Sequence, residues 1–67
     1  MNTEKRPYLP VEERRALLLD AAFEVVATDG AGALSLRAVA ERAGVAHRVV
    51  SYAFGAKTEL IAALLRR

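Results

Sequence analysis

"SLRAVAERAGVAHRVVSYAF", residues 35–54, decides how this chain folds. Ser35 suits the start of a helix, where a serine oxygen accepts from an otherwise unpaired amide. At 100° per residue, Leu36, Val39, Ala40 and Ala43 then gather on one side, with Arg37, Glu41 and Arg42 on the other. Gly44 interrupts, and a second short helix begins near Ala46. In it Val50 and Phe54 lie about 40° apart, while Arg48 and Tyr52 point the opposite way. Two short helices joined by a tight glycine turn read as a helix-turn-helix. The spacing carries more weight than the helices themselves: Ala40 lies four residues before Gly44 and Val50 six after it. Alanine lets two helices cross closely, glycine permits the sharp turn, and valine anchors the second helix in the core.

Outward from this unit, residues 1–9 read as an N-terminal arm, with Pro7 and Pro10 opposing helix within it. Pro10 or Val11 opens a first helix, and Glu12 and Glu13 suit its positive end. Leu18, Ala22, Val25 and Val26 recur at helical spacing, with Leu19 and Phe23 beside them. Phe23, Phe54 and the leucines are expected in the core. Asp29-Gly30 ends the helix and "GAGA" follows as a loop. Gly55-Ala56 breaks the third helix, and a fourth runs from about Lys57 to the C-terminus. The expectation is one all-α domain over residues 10–67, with helices at about 11–29, 36–43, 46–54 and 57–66. Along the fourth, Leu60 and Leu64 make one stripe, Ile61 and Leu65 the next, and Ala62 and Ala63 widen the apolar area. A helix apolar around so much of its girth is usually buried on two sides. That predicts a fragment of a longer protein, or self-association through this helix.

Composition narrows the chemistry. The chain has 67 residues, 54% of them hydrophobic, and much of that is alanine, which favours helix. There is no cysteine, so disulfides, thiolate metal sites and thiol catalysis are excluded. One histidine and scattered carboxylates form no nucleophile–base pair at a recognisable spacing, so no enzyme, metal or cofactor is expected. No apolar run reaches the roughly 18–20 residues of a membrane span, and the N-terminus lacks a signal-peptide core. A cytoplasmic protein is expected. The net charge is +2, yet residues 35–57 carry Arg37, Arg42, Arg48 and Lys57 against Glu41, a local +3. This excess fits either a polyanionic partner or a solvated basic face, and Arg42 with Glu41 reads as the latter.

Residues 14–65 resemble the N-terminal DNA-binding region of the TetR family of bacterial transcription regulators. The matching pieces are "RRALLLDAAFEVVATDG", "SLRAVAERAGV" and "FGAKTELIAALL", in the family's order and without gaps. The resemblance implies three helices around the helix-turn-helix and a fourth leading into a larger ligand-binding and dimerising domain absent here. It further implies a repressor that binds double-stranded operator DNA as a homodimer, at the nucleoid. A small-molecule effector would bind the absent domain. The third helix then becomes the recognition helix, lying in the major groove. Its expected base contacts are His47, Arg48, Val49 and Tyr52, with Arg48 able to donate two bonds to a guanine edge. Ser35, Arg37, Ser51 and Lys57 match positions expected at phosphates, and Lys5 and Arg6 of the arm are candidates for the minor groove. The sequence departs from the family in four places. Ser51 stands where tyrosine is usual, with Tyr52 displaced by one residue; Arg48 stands where a small residue is common; Ala46 and Ala56 replace capping residues. A helical protein-interaction module that kept the fold and lost DNA binding is the alternative reading.

Overall fold

The structure, a computed structural model, describes residues 10–66. The candidate arm residues Lys5 and Arg6, and Tyr8 with them, lie outside the described residues. Four α-helices follow in order: α1 (Val11–Asp29), α2 (Leu36–Ala43), α3 (His47–Phe54) and α4 (Lys57–Arg66). A 3₁₀ turn, Ala31–Ala33, links α1 to α2. Its closing bond, from the Leu34 amide to the Ala31 carbonyl at 3.1 Å, delivers Leu34 into the core. There are no strands among the described residues, so the architecture is all-α.

One core joins the four helices. α1 supplies Leu18, Ala21, Ala22 and Val25; α2 supplies Val39 and Ala40; α3 supplies Val50 and Phe54; α4 supplies Leu60 and Ala63. Leu18, Val25, Val39, Val50 and Leu60 are the largest side chains fully withdrawn from water. Each contributes about 1.5–3 kcal/mol by burial. Several of the remaining core positions are alanine, so the helix axes approach closely and the interior is small. α1 is the hub: it packs most extensively on α2 and also touches α3 and α4.

Backbone capping sets the helix-turn-helix angle. The Ser35 hydroxyl accepts from the Ala38 amide at 3.0 Å, opening α2. At the other end Gly44 is left-handed, with φ 75° and ψ 32°. The Val45 amide reaches back to the Ala40 carbonyl at 3.0 Å and the Gly44 amide to Glu41 at 3.3 Å. This pair of bonds is the Schellman arrangement, which satisfies carbonyls the helix would leave open. Thus Ala40 sits at the helix crossing and also accepts the bond that turns the chain. Ala46 precedes α3 without a side-chain cap.

One expectation is corrected. Phe23 is 64% exposed and outside the core, as are Leu17 and Leu65 at 53% and 83%. Phe23 lies about 140° around α1 from Leu18, on a strip that no other described helix covers. Arg42 is exposed, as expected, and is ion-paired on that face. It donates to the Thr28 hydroxyl at 3.3 Å and pairs with Asp29 at 3.4 Å and Glu24 at 3.5 Å. Arg42 lies about 60° from Val39 on the α2 wheel, beside the apolar stripe, and so reaches across to the last turns of α1.

Candidate nucleic-acid interface

The candidate recognition element is built by opposition on α3. Val50 and Phe54 are 0% and 5% exposed, while Tyr52 is 83% exposed. Arg48, one turn before Tyr52, is exposed as well, so guanidinium and phenol project from the outward face. His47 is exposed at the first turn, and its Nδ1 faces the Ser51 hydroxyl at 3.5 Å, one turn on. Val49 and Ser51 flank the outward face and are half-buried. These five residues therefore share one short helix whose other side is sealed in the core.

The remaining candidates come from the neighbouring helices. Ser35 is half-buried, with its hydroxyl engaged by the Ala38 amide, so its oxygen acts first as a helix cap. Arg37 is exposed on the first turn of α2. Lys57 is exposed at the first position of α4. The bonds closing that start run from the Glu59 and Leu60 amides to the Ala56 carbonyl, at 3.0 and 3.1 Å. A lysine at a helix N-terminus faces the positive end of the dipole, which favours an anion between them.

Charge in space differs from charge along the chain. Arg42 is engaged by Glu24 and Asp29, two carboxylates of α1. The basic excess left to face a partner from residues 35–57 is thus carried by Arg37, Arg48 and Lys57.

A profile of bacterial regulatory proteins of the tetR family matches residues 18–64, a span that includes all of α2 and α3. The chain belongs to the TetR family. Its helix-turn-helix is the DNA-binding domain of a transcriptional regulator. It is also 42% identical, over a 72-residue alignment, to the HTH-type transcriptional activator FasR of Mycolicibacterium smegmatis (strain ATCC 700084 / mc(2)155). That alignment takes in 96% of the chain and 33% of FasR, so the chain spans about a third of the length of this relative. No solved structure matches. No helix among the described residues of this TetR-family chain is long and apolar enough to cross a membrane.

Two arginines that tie α1 of this TetR-family chain to its helix-turn-helix had contacts with no signal in the sequence. One is Arg42, described above. The other is Arg15 of α1, which donates to the Ala53 carbonyl and lies over the Phe54 ring, 4.5 Å from its centroid. Both are long-range polar contacts, 13 or more residues apart along the chain, and no periodicity announces them.

Proposed function

We propose that the chain binds operator DNA sequence-specifically, with α3 in the major groove. One observation supports this above the others: Arg48 and Tyr52 stand exposed on α3 opposite the buried Val50 and Phe54. Arg48 donates to a guanine edge; His47, Val49 and Tyr52 make the neighbouring base contacts. Arg37, Ser51 and Lys57 hold phosphates and set the register, with Ser35 contributing through the α2 N-terminus. The function is binding, with no catalytic step and no cofactor. The place of action is the cytoplasm, at the nucleoid.

In a longer regulator two such domains form a homodimer on two half-sites, and a small-molecule effector acts through a C-terminal domain. Repression, which the family resemblance implies, and activation, the role in the name of FasR, both need the same bound domain.

Titration with duplexes selected from a random pool, at two salt concentrations, tests the proposal. Binding should weaken steeply with salt. Arg48→Ala should relax the preference at one base position, at a cost of about 1–3 kcal/mol there. Lys57→Ala should weaken all duplexes alike and reduce the salt slope by about one. A chain whose affinity ignores both salt and sequence is the protein-interaction module instead.

A further inference from the structure

We propose that Arg15, on the first helix, is a positioning residue for the recognition helix: it fixes the C-terminal end of α3 and so sets how sharply the domain discriminates between DNA sequences. The proposal rests on the DNA-binding reading given above. Its ground is the way α3 ends. This helix has eight residues and no basic residue in its own last turn. The Ser51 carbonyl is taken by the Gly55 amide at 2.7 Å and that of Phe54 by Ala56 at 2.8 Å. The Ala53 carbonyl is taken by the Arg15 guanidinium, which comes from a different helix. A cation is favoured at the negative end of a helix dipole, and here α1 supplies it.

The same guanidinium covers the Phe54 ring at 4.5 Å. Phe54 is 5% exposed and is the last residue of α3. One planar group therefore grips both a backbone acceptor and a core side chain at one end of the helix. A guanidinium can stack and donate at once; an ammonium cannot reproduce that geometry.

Of the expected base contacts, His47, Arg48 and Val49 stand at the end away from the Arg15 grip, and only Tyr52 lies near it. From Phe54 to His47 the helix extends about 10 Å, at 1.5 Å per residue. A swing of about 10° around the Phe54 end displaces the first turn by about 2 Å, enough to break a bidentate hydrogen bond. Discrimination between bases depends on such bonds, whereas attraction to phosphates does not. Loss of Arg15 should therefore lower selectivity more than it lowers affinity for DNA in general.

The test uses the full chain, a duplex selected by the wild type from a random pool, and a scrambled duplex of equal length. Arg15→Met keeps the length of the side chain and removes the fork and the charge. It should lower the selected-to-scrambled affinity ratio by about fivefold or more, the smallest effect of losing one bidentate contact. Affinity for the scrambled duplex should stay within about twofold, and the salt slope should not change. Arg15→Lys should fall between wild type and Arg15→Met. If Arg15→Met does not fold at the assay temperature, Arg15→Lys decides: a ratio lowered by about twofold or more supports the role. A folded variant with an unchanged ratio overturns it, as does an equal loss on both duplexes with a salt slope reduced by about one, which marks a phosphate contact instead. A wild type without any preference overturns the DNA reading and this inference with it. A wild-type preference that the variants leave intact overturns this inference alone.

Discussion

Gly44 and Gly55 bracket α3, and their replacement by alanine should cost different amounts. At neither would a Cβ come within 4 Å of any atom beyond the glycine's chain neighbours, so any loss comes from the local backbone conformation and not from packing. Gly44 sits at φ 75° and ψ 32°, inside the left-handed region that other residues visit at modest cost. Alanine there should lose about 1 kcal/mol. Gly55 sits at φ 80° and ψ −51°, and the Ala56 amide bonds the Phe54 carbonyl across it at 2.8 Å. That is a γ-turn with positive φ, a conformation strained for any residue with a side chain. Alanine there should lose about 2–3 kcal/mol. The gain from stiffening the unfolded chain is the same for both and cancels in the comparison. For a domain this small each kcal/mol moves the melting temperature by about 4–8 °C, so the two variants should melt roughly 5–15 °C apart. Urea unfolding with unchanged m-values reads the same difference as midpoints. Gly44→Asn should be milder than either, because asparagine tolerates the left-handed region. Equal losses for the two alanines, or a Gly44→Asn as damaging as Gly55→Ala, would refute the reasoning.

Two further outcomes test the corrected core and the α1–α2 clasp. Phe23→Ser should change unfolding free energy by no more than about 0.5 kcal/mol, whereas Leu18→Ala, five positions earlier at 2% exposure, should lose about 2–5 kcal/mol. Arg42→Ala should lose about 1 kcal/mol or less, since its carboxylate partners Glu24 and Asp29 are 67% and 54% exposed. Repeating that comparison near 1 M salt, where screening shortens to about 3 Å, should shrink the difference toward zero.

What could be read in the sequence, and what could not, divides along physical lines. Apolar periodicity reports which side of a helix is driven from water, and Val39, Ala40, Val50, Phe54 and Leu60 are buried. Phe23 shows where the same signal misleads. Its hydrophobicity suggested the core, but its angle, about 140° from Leu18, placed it on the far side of α1. Angle decided, because a rigid helix cannot turn a residue inward to satisfy its transfer free energy. The outward face of α3 was legible for the complementary reason: burial of Val50 and Phe54 leaves Arg48 and Tyr52 no other direction.

The guanidiniums of Arg15 and Arg42 were illegible because their partners are carbonyl, hydroxyl and carboxylate groups brought near only by folding. Arg15 lies 38 residues from Ala53, and nothing in either local sequence names the other. Yet each arginine joins α1 to one half of the helix-turn-helix: Arg42 from α2, Arg15 onto α3. Packing alone is permissive here, because a small alanine-rich core offers few interlocking shapes to fix helix orientation. Directional bonds supply what such a core lacks. A reading head needs its side chains held within a fraction of a bond length, and a stripe of small apolar residues does not specify position that finely. In the proposal above Arg15 supplies that for α3 from outside the stripe, which is why the periodic signal that finds the helices passes over it, whereas Arg42, on exposed partners, adds only a weak and salt-screened tie.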